Sequence, residues 1–306
     1  MRVLVTGAGG FIARHVIAAL GNQGHTPIPA YHHAPSNPTD GFVSFSIEDP
    51  AAARAAIRQT QPDAIVNCAA YGVDHGQQDL ALAVTVNVLG PAQLFMASRE
   101  AGVGRFIQVG TGYEYGSHEL GITEETDCVP VGTYGASKAA GSLILMELGR
   151  RLGQAPVLVR PFSMYGPGES PSKLVPQVVD AVLADAELDL TEGRELRGYM
   201  PVIDVARAIA ALTTIAEPLF PHGDVFNICS GRSTTIREFA EAVAAAAGGT
   251  GRLRFGTLPS RSDALLRVVG DPARWRAFCG DNGIAEVLGE TPMAVVITRM
   301  IDEMRR

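Results

Sequence analysis

Basic residues are scarce in this chain. Lysine and arginine together number 25 among 306 residues, against 32 aspartates and glutamates, and the formal net charge is −7. Proteins that bind nucleic acid need a basic surface, so we expect no nucleic-acid partner. Hydrophobic residues make up 46% of the sequence, which suffices for a large core and argues against disorder.

Cysteines and long apolar runs are also few. The four cysteines, Cys68, Cys128, Cys229 and Cys279, lack the spacing of metal ligands, so we expect buried free thiols, a reducing compartment and no metal site. No run of about 20 apolar residues occurs, and the first predicted strand begins at residue 2, leaving no room for a signal peptide. The sequence therefore predicts a cytoplasmic protein without a membrane partner.

The chain opens with a strand, a glycine-rich turn and a helix. Residues 2–6 form a short β-branched run, and apolar residues recur with helical spacing over residues 11–20. Gly7 permits a tight turn, Gly10 lets the backbone approach a pyrophosphate, and Ala13 lets the helix pack on the strand. Because the amides at a helix N-terminus bind phosphate, this segment predicts a dinucleotide site.

A second motif, Tyr134-x-x-x-Lys138, contains two candidate catalytic residues. On a helix the two residues share a face, so the ammonium is expected near the phenol, where it lowers the phenol pKa from about 10. Tyr134 is therefore predicted to act as an acid and a base. A tyrosine and a lysine at this spacing usually share a helix face without any catalytic role. The predicted dinucleotide turn in the same chain favours the catalytic interpretation.

Strands and helices alternate in the first half of the sequence. Further strands are predicted at residues 27–31, 42–46, 63–67, 105–110 and 156–160, and helices at 50–60, 79–101 and 134–152. This order predicts an α/β fold with a doubly wound parallel sheet. We expect a dinucleotide-binding domain over residues 1–163, with return segments near 199–230. A smaller, mainly substrate-binding domain is expected over residues 164–306, after the turn-rich loop at 165–171.

Five landmarks in order make the chain resemble the extended short-chain dehydrogenase/reductase family, the epimerase/dehydratase type with a Rossmann sheet. They are Thr6-Gly7-x-x-Gly10-Phe11-Ile12, Asn67-Cys68-Ala69-Ala70, Asn87-Val88-Leu89-Gly90, Tyr134-x-x-x-Lys138, and Arg160-Pro161 before Tyr165-Gly166-Pro167-Gly168. The resemblance covers nearly the whole chain. It implies an NAD(P)-dependent enzyme that modifies nucleotide-diphosphate sugars and, by default, a homodimer. The pairing helices would be residues 79–101 and 134–152, with Leu143, Leu145 and Met146 serving that face or the core.

The resemblance also implies residue roles. Thr111 stands four residues before Tyr115-Gly116, where relatives place a catalytic hydroxyl, so the implied catalytic set is Thr111, Tyr134 and Lys138, with Lys138 also holding the nicotinamide ribose. The implied cofactor-binding residues are Gly7, Gly10, Phe11, Ile12, Arg14, His32, Ser46, Ile47, Ala69, Ala70, Asn87, Tyr134, Lys138 and Pro161. The implied substrate-binding residues are Gly112, Tyr113, Ser163, Lys173, Arg197 and Arg261, the two arginines being suited to a diphosphate.

Two departures from the family pattern narrow the reaction and the cofactor. The 4,6-dehydratases carry Asp-Glu after the catalytic threonine, where this chain has Gly112 and Tyr113, and on an extended chain Glu114 would face the other way. Dehydration is therefore disfavoured. No acid occurs from Arg14 through Thr39 to accept from an adenosine 2′-hydroxyl. NADP is therefore favoured over NAD, although only Arg14, His32 and His33 offer positive charge to a 2′-phosphate.

We therefore predict an NADPH-dependent reductase of a keto group, specifically the 4-keto group of a nucleotide-diphosphate deoxysugar. The first alternative is an NAD-dependent nucleotide-sugar 4-epimerase, in which Tyr134 acts first as base and then as acid. A third alternative is a cofactor-sensing protein on the same fold; such proteins tend to lose the tyrosine or the lysine, and this chain keeps both.

Overall fold

The computed structural model describes residues 1–36, 41–73, 76–215, 223–249, 252–260 and 264–305. The strands are β1 Arg2–Thr6, β2 Thr26–Tyr31, β3 Val43–Ser44, β4 Ala64–Asn67, β5 Arg105–Val109, β6 Val157–Pro161, β7 Met164–Tyr165, β8 Glu187–Leu190, β9 Leu196–Arg197, β10 Met200–Pro201, β11 Asp224–Ile228, β12 Thr234–Thr235, β13 Arg252–Phe255 and β14 Arg267–Val268. The α-helices are α1 Phe11–Asn22, α2 Pro50–Thr60, α3 Leu80–Val84, α4 Gly90–Glu100, α5 Gly132–Leu152, α6 Leu174–Leu183, α7 Val202–Thr214, α8 Ile236–Ala246, α9 Ala273–Asp281 and α10 Met293–Met304.

Seven strands form the main sheet, in the order β3-β2-β1-β4-β5-β6-β11. Neighbours from β3 to β6 pair in parallel, and the strand order reverses between β1 and β4. Every residue of β4 and β5 is buried, as is typical of a parallel sheet covered on both faces. The predicted doubly wound α/β fold is confirmed, and its reversal point is where such sheets bind ligands.

The chain divides into two compact units. The first comprises residues 1–116, 124–161 and 206–227, and the second comprises residues 117–123, 162–205 and 228–306. The first unit buries an apolar core that includes Leu4, Ile65 and Phe95, and the second buries one that includes Val178 and Phe239. Each apolar side chain of this kind, when fully buried, stabilises its unit by about 1.5–3 kcal/mol. That the second unit binds substrate stays a prediction.

Helix α2 shows why residue choice fixes an element boundary. Asp49 precedes the helix and accepts hydrogen bonds from the amides of Ala51 and Ala52 at 2.9 and 3.1 Å. Pro50 occupies the first helical position, where its missing amide proton has no partner to lose. The helix predicted at residues 50–60 is therefore found with those bounds.

The helix predicted at residues 79–101 is interrupted. Helices α3 and α4 are separated by one π-helical stretch, Thr85–Leu89, a feature often found at functional sites. By length and composition alone the segment Leu80–Glu100 also resembles a membrane-crossing helix. Leu94 and Phe95 within it are buried in the core of the first unit, which is the behaviour of a core helix.

Helix α5 divides its apolar residues between the core and the surface. Leu145 is fully buried and Met146 packs against the core, whereas Leu143 is 68% exposed and Ile144 is 44% exposed. Of the three residues considered for a dimer face, the structure therefore leaves Leu143 available and assigns Leu145 to the core. The homodimer itself stays a prediction.

The expectation of an extended chain after Thr111 is wrong. Residues Gly112–Glu114 form a 3₁₀ turn, and Thr111 is its N-cap. The Thr111 hydroxyl accepts from the Tyr113 amide, and the Glu114 carboxylate accepts from the Thr111 amide, forming a capping box. This reciprocal pair of hydrogen bonds turns Glu114 inward, so that it is fully buried.

Candidate active site

The glycine-rich turn lies against the end of β4. Gly7 has a φ of +66°, and a Cβ on it would lie 3.0 Å from the backbone nitrogen of Ala69. Both the conformation and the space therefore require glycine. The Gly10 amide donates to the Gly7 carbonyl at 2.8 Å, which closes the turn immediately before α1.

The start of α1 offers hydrogen-bond donors. Gly10 is the N-cap of α1, and because glycine has no side chain it offers no capping acceptor to the first amides of the helix. The first amides of a helix lack intrahelical acceptors and carry the positive end of the helix dipole. The exposed Arg14 lies beside them, with Nη2 donating to the Gly9 carbonyl at 3.3 Å. The amides at the start of α1 and the space at Gly7 fit the pyrophosphate of a dinucleotide.

The end of β2 carries two imidazoles and no carboxylate. His32 and His33 are exposed, and their rings stack with centroids 4.1 Å apart. They follow Tyr31, the last residue of β2, which pairs with Ser44 of β3. The position where an NAD site presents an acid is thus occupied by neutral or cationic groups.

The remaining residues predicted to bind cofactor fall into two groups. Phe11 and Ile12 begin α1, and Ala69 and Ala70 follow β4, the strand beside β1; Pro161 ends β6, which is separated from β1 by β4 and β5. The others also make contacts within the protein: Ser46 Oγ accepts from the Glu48 amide at 3.2 Å, and Ile47 is buried and would contact a Cβ at Gly90 at 3.0 Å. Their cofactor roles stay predictions.

A buried polar chain that sequence reasoning missed crosses three strand ends. The Thr6 hydroxyl donates to Asn67 Oδ1, and Asn67 Nδ2 donates to Gln108 Oε1 at 2.8 Å. All three residues are at most 3% exposed. Since buried polar groups need partners, the chain fixes the strand ends beside the glycine turn. A polar residue at or next to the last position of each strand was the available signal.

Thr111, Tyr134 and Lys138 come together at the ends of β5 and α5. Tyr134 is partly buried and hydrogen-bonded to the side chain of Thr111. Lys138 is 3% exposed, and its Nζ donates to the Val109 carbonyl at 2.7 Å. The structure therefore places the predicted catalytic hydroxyl against the predicted catalytic phenol.

The pKa expected for Tyr134 is wrong in sign. Burial raises the pKa of this phenol above its ordinary value of 10, the hydrogen bond from Thr111 lowers it, and the charges of Glu114 and Tyr113 raise it further. Burial also lowers the pKa of Lys138, while Glu114 and Cys68 raise it. Desolvation is the largest effect on the Tyr134 pKa, and the contribution that lowers it comes from Thr111 and not from Lys138.

Backbone contact fixes the position of α5. The Asn87 amide group donates to the Tyr71 carbonyl at 2.8 Å and to Ser137 Oγ at 2.9 Å. Asn87 Oδ1 accepts from the Tyr71 amide at 2.9 Å. A Cβ at Gly141 would overlap the Asn87 carbonyl oxygen. Asn87, predicted to bind cofactor, thus joins the π-helical stretch to the helix that carries Tyr134.

The residues predicted to bind substrate are divided between the units. In the first unit, Gly112 is buried and Tyr113 is 38% exposed. In the second, Ser163 accepts from the Met200 amide through its carbonyl, and Lys173 is the N-cap residue of α6. Arg261 lies outside the described residues.

Arg197 in the second unit is a buried cation. Its side chain lies in β9, 8% exposed, and Nη1 donates to the Leu196 carbonyl at 2.8 Å. Two polar atoms in the same unit, Glu195 Oε2 and Arg267 Nε, are buried and have no hydrogen-bond partner among the described residues. Sequence reasoning missed Glu195 and Arg267, since neither lies in a motif. Buried groups of this kind call for a polar partner.

Comparison with known proteins gives consistent matches. A family model described as the NAD dependent epimerase/dehydratase family matches residues 3–229. The chain is 28% identical to GDP-6-deoxy-D-mannose reductase of Pseudomonas aeruginosa, covering 90% of this chain and 84% of the reductase. It is 31% identical to dTDP-glucose 4,6-dehydratase of Streptomyces griseus, covering 80% and 78%. The crystal structure of Thermus thermophilus UDP-glucose 4-epimerase in complex with NAD matches with a TM-score of 0.85 and 28% identity, covering 100% and 99%.

Proposed function

The chain belongs to the NAD-dependent epimerase/dehydratase family, and from this premise we propose that it is an NADPH-dependent reductase. Its substrate is a ketone, specifically the 4-keto group of a nucleotide-diphosphate deoxysugar. The similarity to GDP-6-deoxy-D-mannose reductase supports a reductase that acts on a nucleotide sugar. The observation that carries the proposal is the Tyr134 phenol, which is hydrogen-bonded to Thr111 and whose pKa is raised by desolvation.

A phenol with a raised pKa remains protonated near neutral pH, which suits an acid. Reduction of a ketone leaves an alkoxide that must be protonated, and Tyr134 is the group placed to supply that proton. The Thr111 hydroxyl donates a hydrogen bond to the same substrate oxygen and orients it. A reduced dinucleotide, its pyrophosphate held at the Gly7–Ile12 turn, would supply the hydride. Lys138 would hold its nicotinamide ribose beside Tyr134.

The 4,6-dehydratases carry the pair Asp-Glu directly after the catalytic threonine, and this chain has neither residue at those two positions. Gly112 has no side chain, and Tyr113 carries a phenol in place of a carboxylate. The carboxylate of Glu114 is fully buried and hydrogen-bonded at both oxygens, to the Thr111 amide and to Arg160. These contacts favour reduction over dehydration, despite the similarity to dTDP-glucose 4,6-dehydratase.

The preference for NADPH rests on the end of β2. A 2′-phosphate meets no carboxylate from Arg14 through Thr39, and the exposed Arg14 guanidinium is held beside the turn by Gly9. Replacing Arg14 with alanine is expected to weaken NADPH binding about tenfold, as for loss of one charge-assisted contact of about 1.4 kcal/mol. NADH binding should change little. Arg58→Ala, an exposed arginine of α2, is the matched control. Equal weakening of both cofactors by Arg14→Ala would refute this assignment.

The second unit supplies the proposed contacts to the activated sugar. A buried guanidinium at Arg197 suits a diphosphate, while the buried Glu195 Oε2 suits a hydroxyl donor. Arg197→Ala and Arg261→Ala are expected to abolish binding of uridine or thymidine diphosphate, measured by calorimetry. Unchanged binding in both variants would point to a ketone without a nucleotide.

The main test compares cofactor content with turnover. The protein is purified, its bound nicotinamide is quantified, and the stripped protein is assayed for oxidation of NADPH and NADH with a 4-keto nucleotide sugar. We expect little retained cofactor and turnover that prefers NADPH. Tightly retained NAD⁺ with interconversion of C4 epimers would favour the alternative, a nucleotide-sugar 4-epimerase, which the similarity to the Thermus thermophilus epimerase supports. Binding of cofactor without turnover of any nucleotide sugar would favour a sensor.

A further inference from the structure

A buried carboxylate lies directly behind Thr111. Glu114 is fully buried, and its Oε1 accepts from the Thr111 amide at 3.0 Å. Its Oε2 accepts from Nε of Arg160 at 2.8 Å. Arg160 is itself 6% exposed, and its guanidinium lies 4.5 Å from the centre of the Tyr115 ring. Burying a charge is costly unless its partners are well placed, so this arrangement is tightly constrained.

The neighbouring backbone is shaped around this carboxylate. A Cβ at Gly110 would overlap Glu114 Oε1 and would lie 3.3 Å from Cγ of Arg160. The Gly110 amide donates to the Val159 carbonyl at 2.7 Å, so the backbone cannot easily retreat. The Thr111 amide is therefore held between a fixed strand end and a fixed carboxylate, which determines where its hydroxyl points.

Glu114 and Lys138 meet the same strand end: Lys138 Nζ donates to the Val109 carbonyl at 2.7 Å, and Glu114 Oε1 accepts from the amide of Thr111, two residues further along. From this position the Glu114 charge acts on both Lys138 and Tyr134. Burial lowers the pKa of Lys138, and the charges of Glu114 and Cys68 oppose that lowering. Burial raises the pKa of Tyr134, and the charges of Glu114 and Tyr113 add to that rise. Burial alone would lower the pKa of Arg160, but the nearby charges, with Glu114 first among them, raise it above its ordinary value.

We propose that Glu114 is a positioning residue: its buried carboxylate fixes the backbone of Thr111 and balances the ammonium of Lys138. Its effect on turnover rests on the proposed reductase function. The electrostatic effect of Glu114 on Lys138 does not rest on that function, because it is a property of the first unit before any substrate binds.

The sequence permits a direct measurement of this balance. The chain contains two lysines, Lys138 and Lys173, so protein labelled with ¹³C at the lysine ε-carbon gives two NMR signals. Lys173→Arg identifies the Lys138 signal. In Glu114→Gln the titration midpoint of Lys138 is expected to fall by about one pH unit, the effect of removing one nearby opposite charge. Glu147→Gln, which breaks an exposed ion pair with Arg150 on the same helix, should leave the midpoint unchanged.

A double variant separates the effect of losing the Glu114 carboxylate from the effect of leaving Arg160 buried without an ion pair. Glu114→Gln leaves Arg160 buried without its ion pair, which can prevent folding; Glu114→Gln with Arg160→Met removes both charges. The Lys138 midpoint should fall in the double variant too. A midpoint equal to that of the parent, in either variant, would overturn the proposal.

The positioning effect needs a variant that keeps the charge. Glu114→Asp retains the carboxylate but shortens its reach by one methylene, so it should keep the Lys138 midpoint while lowering kcat at least tenfold with little change in KM. Parent-like kcat would overturn this part. If the parent itself reduces no keto sugar, the proposed function fails and the lysine titration still decides the charge balance.

Discussion

Glu169 makes the stability of the second unit depend on pH in an unusual direction. Burial raises the pKa of its carboxyl to about 8, although the amide of Gly166 and the charge of Lys173 lower it. Its Oε2 is buried and has no hydrogen-bond partner among the described residues. The folded protein therefore binds this proton more tightly than the unfolded chain, whose ordinary value is 4.5.

The size of the effect follows from linkage. Between pH 4.5 and pH 8 the folded state holds the proton that the unfolded state releases, so stability is present at low pH and is lost as pH rises. With these two pKa values, about 2 kcal/mol is lost between pH 6 and pH 8. Glu169→Gln keeps an oxygen for the Gly166 amide and cannot ionise. The variant should therefore lack this loss and be more stable than the parent at pH 8.

Urea unfolding measures this difference. Trp275 is the chain's single tryptophan, is fully buried, and lies in the same unit as Glu169, so its fluorescence reports the unit concerned. The free energy of unfolding is measured at pH 6 and pH 8 for the parent, for Glu169→Gln and for the exposed control Glu147→Gln. If parent and Glu169→Gln change in parallel between the two pH values, the reasoning is refuted.

Three further outcomes are expected. Tyr134→Phe should abolish turnover while sparing cofactor binding in a fluorescence titration, and an active variant would remove the assigned role. Gly110→Ala should displace the Glu114 carboxylate and lower the free energy of unfolding by about 3 kcal/mol or more, the scale for breaking a buried ion pair; a loss below about 1 kcal/mol in urea unfolding, the scale of an exposed pair, would contradict the close contact. Leu143→Asp should convert the expected homodimer to monomer in sedimentation, with Ile144→Asp as a second probe of the exposed part of α5. A parent that sediments only as monomer would rule out the dimer.

Local signals were sufficient for the sheet and for the first turn. The apolar runs that became β1, β4 and β5 are buried on both faces, so composition alone identified them, and Pro50 after Asp49 marked the start of α2. The π-helical interruption at Thr85–Leu89 was beyond such reasoning, because the predicted helix at residues 79–101 showed no local break; the contacts of this stretch with α5 are made by residues distant in the chain.

In the active site, too, the sequence predicted which residues take part but not the effects that depend on distant parts of the chain. Order along the chain identified Thr111, Tyr134 and Lys138, but it could not give the sign of the Tyr134 pKa shift, since desolvation depends on which distant segments cover the phenol. The inward turn of Glu114 was missed because the segment was assumed to be extended, although Thr111 and Glu114 have the spacing of a capping box. Its charge partner Arg160 lies 46 positions away in the chain, so local sequence could not identify that contact.

The contact between Gly141 and the Asn87 carbonyl has a consequence for directed evolution. A saturation library would find Gly141 intolerant of every substitution, and a scan of activity alone would rank it with the catalytic residues. Its effect would be to move the whole of α5, so compensating changes should arise at the π-helical stretch and not among groups that touch substrate. Selections for new sugars are therefore best confined to side chains that leave this backbone contact intact.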